Sequence, residues 1–267
     1  MGAVFEAEQD NPKRRVALKV IRRGFGTEDL QRRFQREAYV LGQLRHPGIA
    51  QIYEAGSADY GGASLPFFAM ELVEGLALDQ AMAECDPKQR LELLARVCDA
   101  VWHAHQKGVI HRDLKPANVL VVRAIGEATA SGGLGSSPGE TKSGSTTVHD
   151  TVGQPKVLDF GIARLTDSDL QATTLQTQAG QIVGTLGYMS PEQLSGDVDR
   201  IDTRCDVYSL GVLLYQALAG AMPHDVRDLP IAQAANVILD EEPALLGRLK
   251  PAFRGDIETI VAKAMEK

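Results

Sequence analysis

His111-Arg112-Asp113-Leu114-Lys115-Pro116-Ala117-Asn118, running straight into the apolar Val119-Leu120-Val121-Val122, is the stretch that decides how this chain reads. Charged and amide side chains crowd into a short segment there, and the run behind them is wholly apolar. Further along, Lys156-Val157-Leu158 is a second β-like run, ending on Asp159-Phe160-Gly161. Upstream, Val16-Ala17-Leu18-Lys19 lies on a predicted strand, and Glu37 falls inside a predicted helix in Gln35-Arg36-Glu37-Ala38. Each is weak alone: three residues of D-F-G occur by chance, and a lone Glu37 reads as a solvated helix residue. Their order along the chain gives them weight.

Around these stretches the chain changes character. Residues up to 73 are rich in strand-like runs, Ala3 to Ala7, Val16 to Ile21, Ile49 to Tyr53 and Pro66 to Val73, which predict a small antiparallel sheet. One helix interrupts them, with Thr27 as N-cap and Leu30, Phe34, Ala38 and Leu41 spaced to pack on that sheet. After Gly75 helices dominate. The clearest runs from Pro87 to Lys107 and is ended by Gly108, with Leu91, Leu94, Ala95, Cys98, Val101, Trp102 and His105 as its apolar stripe. Another, from Thr203 to Ala219, is hydrophobic nearly all round and should lie centrally; residues 230 to 239 and 255 to 265 also read as helices. Residues 123 to 155 stand apart. They are dominated by Gly, Ser, Thr and Ala without apolar periodicity, and read as a surface insertion.

Composition bounds the function. The 44% of hydrophobic residues is enough for a sizeable core. The 28 basic and 35 acidic residues leave a net charge of −7, with the basic residues spread rather than clustered, which argues against a track for nucleic-acid phosphates. No apolar run is long enough to span a membrane and no signal-peptide pattern opens the chain, so a cytoplasmic setting is expected. Cys85, Cys98 and Cys205 form no C-x-x-C pair and read as free thiols. His103 and His105 lie two apart on a helix, which places them on different faces and makes a metal pair improbable.

The ordered set of motifs resembles the protein kinase family over nearly the whole chain, most closely the bacterial serine/threonine kinases of the eukaryotic-like type. The resemblance implies an α+β, two-lobed fold, with a sheet-and-one-helix N-lobe over 1–73 and a larger, mostly helical C-lobe over 74–267. It implies transfer of the γ-phosphate of ATP to protein Ser/Thr hydroxyls. An alternative is a catalytically impaired nucleotide- or protein-binding module. By the same resemblance Asp113 orients the substrate hydroxyl, since a carboxylate accepts its hydrogen bond, and Lys115 neutralises the γ-phosphate. Asn118 and Asp159 are the implied ligands of Mg2+. Lys19 is the implied contact of the α- and β-phosphates, with Glu37 as its partner.

Around the nucleotide the resemblance places Gly2 and Val4 of Gly2-Ala3-Val4, Ala17, and the hinge Met70-Glu71-Leu72-Val73-Glu74-Gly75, with Leu120 below the base. Backbone groups of Glu71 and Val73 would meet the adenine edge, and Met70 would stand behind it; for each apolar residue alone, core packing is the plain alternative. Gly2-Ala3-Val4 matches only the tail of the family's glycine-rich loop, so its earlier part would precede Met1. An arginine partner for Glu192 would likewise follow Lys267. Gly184-Thr185-Leu186-Gly187-Tyr188-Met189-Ser190-Pro191-Glu192 resembles the substrate-positioning segment, with Thr185 near Asp113, and Asp206 would anchor the catalytic loop from the central helix. Arg112 marks kinases whose activation loop is ordered by phosphorylation, which makes Thr177, then Thr173 and Thr174, candidate autophosphorylation sites.

Overall fold

The structure, a computed structural model, describes residues 2–21, 28–60, 63–123, 152–160, 185–196 and 201–267. Its first half is built on strands β1 (Ala3–Asp10), β2 (Lys13–Val20), β3 (Ile52–Tyr60) and β4 (Ala63–Glu71), all antiparallel in the order β1-β2-β4-β3. Cross-strand partners share a face. The register Val4↔Lys19, Ala17↔Met70 and Lys19↔Phe68 therefore puts Val4, Ala17, Lys19, Phe68 and Met70 on one side. Helix α1 (Glu28–Gly42) covers part of that side. Phe34 lies 4.9 Å from Phe68 between ring centroids, and Phe34 and Leu41 are both buried. Such a tilted aromatic pair adds roughly 0.5–1.5 kcal/mol to what burial alone gives. The expected cap Thr27 and the Leu30 side chain lie outside the described residues.

One expected strand is corrected. Ile49 to Tyr53 does not extend as a unit: β3 begins at Ile52, and residues 48–50 run instead beside β7 (Gln154–Val157), with Ala50 N–H donating to Val157 O at 3.0 Å and Val157 N–H to Gly48 O at 2.8 Å. The β-branched Ile49 is buried there, because it fills the seam between the sheet and the helical half. β7 closes a second sheet with β5 (Leu76–Ala77) and β6 (Val119–Val122), in the order β5-β6-β7. The insertion read over 123–155 consequently overlaps β7 by two residues. Val152 is already buried and Val122 is the register partner of Gln154, while 124–151 lie outside the described residues.

The helical half follows: α2 (Leu78–Ala83), α3 (Pro87–His105), α4 (Pro191–Ser195), α5 (Arg204–Ala219), α6 (Ile231–Asp240), α7 (Leu246–Leu249) and α8 (Asp256–Ala264). Asp86 caps α3 in a capping box with Gln89, satisfying N-terminal backbone donors that would otherwise be orphaned. The expected stripe of α3 is rotated. Leu93, Leu94, Val97, Ala100, Val101 and Ala104 are buried, whereas Ala95 and Cys98 are exposed and Trp102 is 60% exposed. Small residues on the buried face let α5 and β7 approach closely, and the indole is too large for that seam. α5 is central as its composition predicts, burying Val212, Leu213, Tyr215 and Leu218. Among the described residues no helix is long and apolar enough to cross a membrane.

Candidate active site

The segment 111–118 is held by hydrogen bonds to three other parts of the chain, Asp206, Leu158 and Gln193. Asp206, fully buried on α5, accepts from the backbone N–H of His111 and of Arg112, both at 2.8 Å, and from Nε2 of His105 on α3 at 2.7 Å. His111, also fully buried, accepts the Asp113 N–H on Nδ1 at 3.2 Å, so the ring proton resides on Nε2 and donates to Leu158 O at 2.8 Å. Its ring meets Phe160 edge-on, with centroids 4.8 Å apart. Leu158 N–H donates to Asn118 O at 2.8 Å, and Gln193 of α4 donates from Nε2 to Arg112 O at 2.6 Å. Two non-glycine residues, Arg112 (φ 69°) and Asp159 (φ 60°), adopt left-handed backbone conformations. Such conformations cost about 1–3 kcal/mol each and persist only where neighbours over-determine them, as these bonds do.

Within that frame the polar side chains converge. Lys115 Nζ lies 2.9 Å from Asp113 Oδ2 and 3.0 Å from Oδ1. Asn118 Nδ2 donates to Asp113 O at 2.7 Å and to Asp113 Oδ2 at 3.0 Å, which turns its Oδ1 away as the oxygen it can offer a cation. Lys19 Nζ lies 2.7 Å from Asp159 Oδ2, joining β2 to the segment after β7. Glu37, the expected partner of Lys19, stands half-buried on α1. Asp159 and Asn118 present hard oxygen donors, as Mg2+ requires. Among the described residues no group of three or more His, Cys, Asp or Glu that could hold a metal ion is present.

The segment expected as the hinge, residues 70–75, runs from the end of β4 to the start of β5. Met70 is buried on the same sheet face as Ala17, its register partner. The Glu71 carboxylate is gripped by Lys156 Nζ of β7 at 2.7 Å, and its backbone N–H donates to Gln51 O at 2.8 Å. At the other end Glu74 pairs with Arg15 of β2 at 2.9 Å. Gly75 crosses β6 so closely that a Cβ there would sit 2.7 Å from Val121 O. Gly2 has a comparable local cause, since a Cβ would lie 2.4 Å from Val20 O. Val73 and Leu120 are half-buried, and Val4 is 61% exposed at the open edge of the same face as Lys19.

Thr185 is half-buried at the start of the described segment 185–196. Gly161 and the three candidate phosphosites Thr173, Thr174 and Thr177 lie outside the described residues. Next to Asp206, burial pushes the Cys205 thiol well above its ordinary value, and the Asp206 carboxylate adds to the shift. Sequence reasoning missed the Glu71–Lys156 pair, the Lys19–Asp159 contact, the bridging role of His111 and the reach of Gln193. Only the pairing of His111 with the D-F-G segment had any local signal, its place at the head of the motif.

A family model described as the protein kinase domain matches residues 1–241. Among curated relatives, the chain is 34% identical over 271 residues to serine/threonine-protein kinase PknB of Mycobacterium leprae and 34% identical over 272 residues to PknB of Mycobacterium tuberculosis. It is 33% identical to a probable serine/threonine-protein kinase of Streptomyces coelicolor. Each alignment covers 100% of this chain but only 35–38% of the relative, so the chain spans little more than a third of their length.

Proposed function

From the premise that the chain belongs to the protein kinase domain family, we propose that it transfers the γ-phosphate of ATP to serine and threonine hydroxyls of proteins. The observation that carries this reading is the convergence of Asp113, Lys115 and Asn118 beside the Lys19–Asp159 pair. The Asp113 carboxylate accepts the hydrogen bond of the incoming hydroxyl and aligns its oxygen for in-line attack. Lys115, already at hydrogen-bond distance from Asp113, supplies positive charge to the γ-phosphate as the bond to the leaving oxygen lengthens. Lys19, partnered by Glu37, holds the α- and β-phosphates. Asp159 and Asn118 hold Mg2+, which when bound neutralises phosphate charge.

Val4, Ala17, Met70 and Leu120 supply the apolar surfaces around adenine, backbone groups of Glu71 and Val73 meet its edge, and Gly2 lies at the phosphate end. We place the lobe boundary between residues 73 and 74, and Thr185 close to Asp113 on the substrate side. Arg112 receives a phosphate on Thr177, Thr173 or Thr174, and the setting is cytoplasmic. The names of the relatives support this reading in its serine/threonine specificity. Transfer of labelled γ-phosphate from Mg-ATP to myelin basic protein tests it, with Asp113→Asn as the blank. Turnover should fall by roughly two to four orders of magnitude in that variant while ATP affinity holds. A wild-type chain without transfer, or a variant as fast as wild type, would overturn the proposal.

A further inference from the structure

The hydrogen bond from Gln193 to the backbone of Arg112 joins two segments that the proposed reaction uses separately: the substrate-positioning segment and the catalytic loop. The amide orientation of Gln193 is fixed by its own contacts. Its Oε1 accepts the Ser190 N–H at 3.1 Å in the capping box of α4, so Nε2 must be the atom that reaches Arg112 O at 2.6 Å. Ser190 is itself fully buried, which fixes the base from which the side chain extends. The carbonyl it grips belongs to the peptide bond whose N–H is that of Asp113. On the other side of Arg112 the N–H is held by Asp206, and the residue between the two grips is in the left-handed conformation.

We propose that Gln193 is a positioning residue for Asp113: it clamps the Arg112–Asp113 peptide plane to α4, so that the aspartate is aimed only when the 190–195 segment is seated. The proposal rests on the protein kinase reading above. A peptide plane held at its carbonyl cannot rotate, and rotation of that plane displaces Asp113, whose own N–H bond to His111 is long at 3.2 Å. A displacement of about 1 Å at a reacting group is enough for a roughly hundredfold loss of rate.

The discriminating variant is Gln193→Glu. It keeps the acceptor for Ser190 N–H, and with it the cap of α4, but replaces the donor to Arg112 O by a carboxylate oxygen that the carbonyl repels. Gln193→Met removes both bonds at nearly constant size. If Gln193 only caps α4, Gln193→Glu should match wild type in every respect and Gln193→Met should lose thermal stability alone. The clamp instead predicts that both variants lose kcat roughly ten- to hundredfold, with KM for ATP unchanged, whatever each loses in melting temperature. A second readout needs no turnover. Hydrogen exchange of the Asp113 amide should accelerate in both variants, while the backbone N–H of His111, held by Asp206, keeps its rate. Wild-type kcat in Gln193→Glu, or unchanged exchange at Asp113, would overturn the clamp; absence of transfer in the wild-type chain would overturn the kinase reading, leaving the exchange result to decide the clamp.

Discussion

Replacing residues 124–151 by a two-residue Asn-Gly turn should raise the stability of the domain and leave its chemistry intact. The replaced stretch joins β6 to β7, whose last and first residues, Val122 and Gln154, already face one another as register partners. The base of the loop is tied independently of what lies within it: Arg123 pairs with Glu84 at 2.7 Å, Arg96 donates to Gly153 O at 3.0 Å, and Val152 is buried. Keeping Arg123, Val152 and Gly153 shortens the connection from roughly 30 residues to about 5. With a closure cost that grows as three-halves RT times the logarithm of loop length, the gain is about 1.6 kcal/mol. For a domain of this size that corresponds to a rise in melting temperature of about 3–6 °C. Scanning calorimetry of both forms gives the shift, and kcat with Mg-ATP and a peptide substrate should agree within about twofold. A melting temperature that falls, or a loss of turnover, would show that 124–151 contribute packing or substrate contacts, and would refute the view of the segment as a tolerated connection.

Three further outcomes follow from the site and its supports. Asp206→Asn leaves one acceptor oxygen for three donors, so at least one buried N–H faces an amide NH2; chemical denaturation should show a loss of about 3 kcal/mol, and an unchanged midpoint would contradict the anchoring role. Asp159→Asn removes a charged hard-oxygen donor, and calorimetric titration should find Mg-ATP binding weakened by roughly tenfold or more, with binding of ATP in EDTA much less affected. His103 gives a pH dependence. Burial, then His46 and Lys107, hold its imidazole below the ordinary value, with Asp99 pulling the other way. The unfolded chain therefore takes up the proton first, so this contribution to stability is complete above about pH 6.5 and is lost as pH falls through the lower folded value. His103→Gln should flatten the fall of melting temperature between about pH 6.5 and 5, though not abolish it, because burial lowers His224 in the same direction.

Much of the proposed chemistry was readable because the residues assigned to it are contiguous. Asp113, Lys115 and Asn118 lie within one loop and meet within that loop, so their spacing in sequence is nearly their spacing in space. The nearly all-round apolar character of α5 announced its central place for a similar reason, with ten of its sixteen residues buried although Val207 is 42% exposed. What escaped depends on tertiary partners. The α3 stripe looked right by period but was rotated, because which of two neighbouring rows is buried is set by the small residues that admit α5 and β7, not by hydrophobicity alone. Ile49 had strand propensity, but pairs with β7 rather than with its own sheet. Glu71 and Lys156 are 85 residues apart, and no local pattern marks a hinge glutamate as half of an ion pair.

The reach of Asp206 has a consequence for how the protein is made. The carboxylate binds backbone groups 94 and 95 residues earlier in the chain, and Gln193 binds one 81 residues earlier. At synthesis rates of 5–20 residues per second, the segment 111–118 leaves the ribosome roughly 5–20 s before the side chains that shape it. During that interval nothing from α4 or α5 can hold Arg112 in its left-handed conformation. A nascent chain therefore carries the whole catalytic motif without its working shape, and the bonds that create that shape form only after translation has passed residue 206.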